Sequence, residues 1–177
     1  MKKKTLALVL ALTLLVAGVV GGTLAWLTDQ TAEVKNTFTV GDINIGLTET
    51  TADYKMVPGN TIAKDPTVTV KANSEACWLF VKVTESTDLK DFITYAIAEG
   101  WTALPGVDGV YYREVPASAA DQPFSVLKGD AVTVNSDVTK EMLTAKDFAN
   151  PTLTFKAYAV QKDNVASASD AWAKVNP

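Results

Sequence analysis

The sequence predicts one mainly β domain, an antiparallel β-sandwich of jelly-roll-like type with one or two short helical insertions. Two observations indicate this fold. Many short segments alternate apolar with polar residues or are rich in β-branched residues, and turn-forming residues separate them at regular spacing. Residues 26–177 have the length of one ordinary domain, and neither an internal repeat nor a low-complexity tract divides them.

The first predicted strand covers residues 40–48, where Ile43, Ile45 and Leu47 share one face. The run Pro58-Gly59-Asn60 predicts a tight turn. Residues 67–71 alternate cleanly and form the next predicted strand, after a proline that cannot donate a ladder hydrogen bond.

Residues 77–83 are apolar on both parities, which predicts a central strand covered on both faces. The only cysteine, Cys77, lies in this run, so the chain has no internal disulfide and depends on its core for stability. We expect Cys77 to be a small buried hydrophobic residue rather than a reactive thiol. A short helix or turn is predicted at residues 86–92, with Ser86 as a possible cap and Leu89 and Phe92 at helical spacing.

Further short strands are predicted at residues 94–97, 110–115, 124–127 and 131–134. The period becomes helical over residues 136–148, which predicts a helix capped by Ser136 or Asp137, with Val138, Met142 and Ala145 on one face. The strongest late strand is residues 152–161, with Leu153, Phe155, Ala157 and Ala159 on one parity. Residues 167–175 either form a last helical turn that holds Trp172 against the body or fray.

The start of the chain has the three parts of a secretory signal peptide: a cluster of three lysines, a long uncharged run, and small residues at Thr23 and Ala25. We predict export and cleavage between Ala25 and Trp26, which makes residues 1–25 the signal peptide. The uncharged run is also long enough to cross a bilayer, so a retained membrane anchor is the alternative. Glycines just before the cleavage site loosen the helix and favour cleavage.

The formal net charge of the chain is −4. Cleavage would remove three lysines, so the balance would become 13 basic against 20 acidic residues, or −7. An acidic exported body disfavours nucleic acid and anionic membrane surfaces as partners, because both need a basic footprint. Contact with a membrane is expected only through an uncleaved N-terminal segment.

The chain contains no histidine, which removes the commonest metal ligand and the usual general base. Histidine-based triads and zinc sites are therefore excluded, and the Gly-rich phosphate and dinucleotide motifs are missing as well. The acidic residues at turns have no calcium-loop spacing. We expect no enzyme, metal site or cofactor.

Four aromatic residues are candidates for a glycan- or protein-binding surface, although aromatic residues in strands more often belong to the core. They are Trp101, Tyr111, Tyr112 and Trp172.

Several segments resemble the TasA/camelysin family of exported bacterial surface and biofilm-matrix proteins, which carry a SipW-type signal peptide. Residues 21–29 resemble that family's cleavage region, and residues 36–43 resemble its first strand. Pro58-Gly59, Lys64-Asp65-Pro66 and residues 157–161 resemble its later signatures.

The resemblance implies a secreted or cell-surface subunit that forms fibres by donor-strand exchange, after removal of the leader by a SipW-type signal peptidase. Its partners would be other copies of itself, with a possible capping or nucleating protein. The donor segment would be residues 26–34, namely Trp26, Leu27, Thr28, Asp29, Gln30, Thr31, Ala32, Glu33 and Val34.

Three alternatives remain open. In the first, the segment at residues 26–34 folds back as an ordinary first strand of a monomer, where tethering gives a high effective concentration. In the second, the protein is a monomeric surface module for a glycan or protein. The camelysin side of the family also implies a metallopeptidase, which the lack of histidine disfavours.

Overall fold

The structure, a computed structural model, describes Lys3 and residues 41–50, 55–144 and 150–175. The chain divides into two compact units, Met1–Thr39 and Val40–Pro177, and every strand named below belongs to the second. These strands are β1 (Ile45–Thr48), β2 (Thr61–Ala63), β3 (Thr67–Val70), β4 (Cys77–Glu85), β5 (Ile93–Thr94), β6 (Thr102–Ala103), β7 (Val110–Val115), β8 (Gln122–Ser125), β9 (Ala131–Val134) and β10 (Leu153–Gln161). The helices are α1 (Leu89–Phe92), α2 (Lys140–Thr144) and α3 (Ala168–Val175), and a 3-10 turn covers Lys128–Asp130.

The first layer is an antiparallel sheet in the order β10-β4-β7-β6. Strand β4 pairs with β10 along its whole length, from Cys77 opposite Gln161 to Glu85 opposite Leu153. All residues from Cys77 to Val81 are buried. The prediction of a central strand covered on both faces is therefore confirmed.

The second layer contains two three-stranded antiparallel sheets, in the orders β1-β3-β8 and β2-β9-β5. Strands β2 and β3 follow each other along one side, and they pair antiparallel with β9 and β8 on the other. Strand β1 adds to the free side of β3, and β5 adds to the free side of β9. Between the two sheets, Val126 N donates to Pro66 O (2.9 Å) and Ala98 N donates to Val126 O (2.9 Å), and these backbone hydrogen bonds link the loops next to them.

The main core lies between the two layers. The residues of β4 on the odd parity, such as Leu79 and Val81, contact Val68 and Val70 of β3. The odd-numbered residues of β10 pack against the same cluster, as their spacing predicts. They are Leu153, Phe155, Ala157 and Ala159. A mainly antiparallel β-sandwich with short helices is thus confirmed.

The outer face of the first layer is covered by α3. Trp172 is 5% exposed, and its ring lies 5.3 Å from that of Phe80 and 5.2 Å from that of Tyr158. Ser167 Oγ accepts from Asp170 N (3.1 Å) and caps the helix. Of the two predictions for this tail, the ordered helix that holds Trp172 is correct.

Several local expectations need correction. Leu47 does not reach the core with Ile43 and Ile45, because β1 is an edge strand, and it is 38% exposed. Helix α2 begins at Lys140 rather than near Ser136, since Thr139 Oγ1 accepts from Met142 N (3.3 Å). Helix α1 begins after Asp88 and has no side-chain cap. Ala145 lies outside the described residues.

Candidate functional site

The predicted cleavage site and donor segment lie outside the described residues. They comprise Thr23, Ala25 and Trp26 at the cleavage site, and residues 26–34. The described residues show the surface on which such a segment could dock. One side of the sandwich is relevant because strand edges from both layers meet there.

Strand β10 is the edge of the first layer, and its outward backbone groups can be assigned from its ladder. Lys162 N donates to Ala76 O (2.8 Å) and Ser86 N donates to Thr152 O (2.9 Å), so the even-numbered residues bond to β4. Because the direction of these groups alternates, the N–H and C=O of the odd-numbered residues, Leu153 to Gln161, point away from β4. Within the described ranges, no strand pairs with that edge.

The second layer presents two edges on the same side of the molecule, at β1 and β2. Lys71 N donates to Asn44 O (2.8 Å), so the backbone groups of Ile45 and Leu47 point away from β3. Lys64 N donates to Asp130 O (2.8 Å), so those of Thr61 and Ala63 point away from β9. No described segment outside the two ladders pairs with β1 or β2.

Two cavities lie between these strand edges, and together we call them the edge groove. One, of about 470 Å³, lies between β2, β9, α1 and the start of β10. The other, of about 280 Å³, lies between the end of β1 and the start of β10, and Leu153 and Thr154 line both. The apolar lining of the groove comes from Leu47, Met56, Ile62, Leu89, Ile93, Val132, Leu153 and Phe155.

An ion pair stands where the two cavities meet. Lys64 lines the larger cavity and Glu49 the smaller, and Lys64 Nζ lies 2.6 Å from Glu49 Oε1. The Lys64 side chain is only 10% exposed, and its ammonium lies 5.5 Å from the centre of the Phe155 ring. A charge at this depth is tolerated because it is paired.

The end of β1 is fastened to the residue after Lys64. Thr50 N donates to Asp65 Oδ1 (2.9 Å), and Thr50 Oγ1 donates to Asp65 Oδ2. The hydrogen bond from the Thr50 hydroxyl is the main reason that the pKa of Asp65 lies below its usual value. The rim of the groove at β1 is thereby fixed relative to β2.

The four aromatic residues that are candidates for a binding surface lie in different parts of the structure. Trp101 and Trp172 are buried at 9% and 5% exposure, so neither forms an exposed platform. Tyr112 packs 5.9 Å from the Trp78 ring on the outer face. Tyr111 lines a third cavity of about 360 Å³ together with Tyr95.

In that third cavity, the polar groups bond mainly to each other. Tyr95 Oη donates to Glu85 Oε1 (2.6 Å), and Lys90 Nζ lies 3.4 Å from Glu85 Oε2. Burial is the main reason that the pKa of Tyr95 is raised, and the adjacent Glu85 adds to it.

Among the described residues, no three histidine, cysteine or carboxylate side chains come together as a metal site, and no helix is long and apolar enough to cross a membrane. The thiol of Cys77 is buried in the main core, as predicted, where burial raises its pKa to about 11.

Sequence reasoning did not assign a role to Lys64, Ile62 or Leu153 as groove residues. The sequence at this place, Lys64-Asp65-Pro66, resembles a family signature, but it does not indicate that Lys64 lines a cavity. Comparison of the chain with protein families, curated proteins and solved structures found no match.

Proposed function

We propose that this protein is an exported structural subunit that assembles into extracellular or cell-surface fibres. In each contact, residues 26–34 of a second copy would lie in the edge groove as an added strand. The observation that carries the proposal is the meeting of three strand edges, β1, β2 and β10, around a groove lined by both apolar and polar side chains. The proposal assigns the protein no catalytic activity.

An added strand suits both the backbone and the side chains of this groove. Outward N–H and C=O groups offer ladder hydrogen bonds, and the cavities offer pockets for alternate side chains. The candidate donor segment has nine residues, as β10 does. Trp26, Ala32 and Val34 share one parity and would enter the groove, whereas Leu27, Asp29 and Glu33 lie on the opposite parity and would face water.

The energetics require the backbone ladder. Burial of each large apolar side chain contributes on the order of 1.5–3 kcal/mol. Association costs about 4–15 kcal/mol, so the large apolar side chains on one face, Trp26 and Val34, are marginal alone. Hydrogen bonds to free edges add roughly 0.5–1.5 kcal/mol each, which makes stable assembly feasible.

Processing follows from the same proposal. A SipW-type signal peptidase would cut between Ala25 and Trp26 and so place the donor segment at the new N-terminus. A capping or nucleating partner would occupy the groove of a terminal subunit. The mature protein would be secreted and retained in an extracellular matrix or at the cell surface.

The test compares filament formation by electron microscopy for the processed protein and a variant that lacks residues 26–34. We expect the deletion to abolish filaments and to leave the far-UV circular dichroism spectrum unchanged. Loss of folding in the deletion variant would contradict the proposal, since it would make the segment an intrinsic strand.

A matched pair of surface substitutions tests the groove itself. Leu47 lines the groove and Val57 does not, although both are exposed, at 38% and 48%. Leu47→Asp should reduce filament yield at least about tenfold, because a charge would replace an apolar groove contact. Val57→Asp should leave the yield unchanged, and equal effects of the two substitutions would rule out the groove as the docking site.

The third cavity supports a second candidate function, a surface module for a glycan. Tyr95 and Tyr111 line it beside Glu85 and Lys90, a combination of aromatic and polar groups that suits a sugar. Titration with soluble oligosaccharides, followed by NMR at the two tyrosine rings, would show saturable changes in that case. The fibre function predicts no such changes.

A further inference from the structure

Arg113 is the only arginine in a chain with 20 acidic residues. It lies in β7, opposite Leu79 of β4, and its side chain extends between the two layers. Its guanidinium carbon lies 3.8 Å from the centre of the Phe124 ring and 5.4 Å from that of Trp101. Both rings thus lie within cation–π distance of the guanidinium.

No described carboxylate compensates this charge. Every nitrogen of Arg113 is more than 4.0 Å from the oxygens of the described acidic residues. Its neighbour in the strand, Glu114, is paired with Lys162 instead. The Nε atom is buried and has no hydrogen-bond partner.

The residues around Arg113 restrict the position of its side chain. Gly100 stands against the guanidinium, because a Cβ at Gly100 would lie 3.1 Å from its Nη2 atom. Trp101 is itself fixed, since its Nε1 donates to Ser125 O (2.9 Å). Desolvation lowers the pKa of Arg113, which indicates that the charge is held at an energetic cost.

We propose that Arg113, framed by Trp101 and Phe124, is a receptor site for a carboxylate of an acidic protein segment. A guanidinium that packs against two aromatic rings and Gly100 loses less freedom when its planar fork donates two parallel hydrogen bonds to one carboxylate. Arginine and tryptophan are also the residues that most often dominate protein interfaces. A carboxylate would supply the partner that the described chain does not.

A polyanion is a poorer ligand for this site than a single carboxylate. Nucleic acids and sulfated glycans need several cations together, and the sequence pI is about 4.8. Two lysines on this body, Lys162 and Lys71, are already paired with Glu114 and Asp121. Because Arg113 is a single cation on an acidic protein, the site favours a single carboxylate over a polyanion.

The test titrates the full chain with a capped peptide, acetyl-Ala-Glu-Ala-amide, and with the same peptide carrying glutamine. The indole N–H signal of Trp101 in a two-dimensional NMR spectrum reports binding. We expect a saturable shift with the glutamate peptide only. Equal shifts with both peptides, or none with either, would overturn the proposal, and a response to heparin alone would assign the site to polyanions instead.

Variants separate the geometry of the site from its charge. Arg113→Lys keeps the charge but loses the planar fork, so it should weaken binding at least about tenfold, and Arg113→Met should abolish it. Lys162→Met is the matched control, because Lys162 also lies over a ring, 5.6 Å from Trp78, but is already paired. Thermal unfolding of each variant checks that it folds, and unchanged affinity in a folded Arg113→Lys protein would also refute the site.

Discussion

Gly109 occupies a backbone position that an L side chain cannot share. Its φ is +70°, and a Cβ there would lie 2.4 Å from Val83 O. Gly106 has a similar φ of +75° but open space around the same position. A substitution at Gly106 therefore introduces backbone strain alone, whereas one at Gly109 introduces both backbone strain and steric overlap.

We predict that Gly109→Ala lowers the free energy of unfolding at least about 2 kcal/mol more than Gly106→Ala does. In both variants, the positive φ lowers the free energy of unfolding by roughly 1–2 kcal/mol. Only in Gly109→Ala must the new Cβ also displace the backbone of β4. Urea unfolding of the two variants measures the difference. Equal costs would mean that the 107–110 turn relaxes freely.

Cys77 predicts a specific dependence of stability on pH. Burial raises the pKa of its thiol from 9.0 to about 11, so the unfolded chain loses this proton before the folded chain does. The contribution of Cys77 is thus fully present below pH 9 and falls as the pH rises towards 11. Urea midpoints at pH 8 and pH 10 should differ more for the native protein than for Cys77→Ala, and parallel losses would refute the shift.

At the scale of elements, the longest and most regular segments could be predicted from the sequence. Strands β4, β7, β9 and β10 appear close to their predicted bounds, because each shows a clear apolar pattern over at least four residues. Strands β2 and β6, with three and two residues, are too short to show a period and were not predicted.

The edge groove could not be predicted from local patterns, because its parts are far apart in the sequence. Lys64 and Glu49 pair across 15 residues, and Leu153 joins them from another layer. The exposure of Leu47 has the same origin, since alternation assigns a face but does not say whether a neighbouring strand covers it.

The edges themselves can be tested with proline. Ala63 in β2 and Ala103 in β6 are both exposed edge residues whose N–H points away from its ladder. Proline at Ala63 removes a donor from the groove, so it should abolish filaments without breaking the β2–β9 ladder. Proline at Ala103 removes a donor from the opposite edge and should leave filaments intact, and the reverse result would move the docking site to β6.

At the scale of the whole molecule, the acidic balance opposes assembly. Copies with a net charge of −4, or more negative after processing, repel one another until a specific contact forms. The Debye length falls from about 10 Å at 0.1 M salt to about 3 Å at 1 M, so salt weakens that repulsion.

We therefore expect filaments of the processed protein to form faster as NaCl increases from 0.02 to 0.3 M, an order-of-magnitude range chosen from the screening length. Light scattering follows the rate, and sucrose at matched osmolarity is the control. A slower rate in salt would instead indicate that attraction between opposite charges drives assembly.

The pairing of β10 with β4 also bears on the order of folding. It joins residues from 68 to 84 positions apart, since Glu85 meets Leu153 and Cys77 meets Gln161. Contacts of such long range form slowly, because a large loop must close first. In the exported protein that we propose, the sandwich could not be completed until its last strand had emerged from the membrane, so this topology would keep the chain open and threadable during translocation.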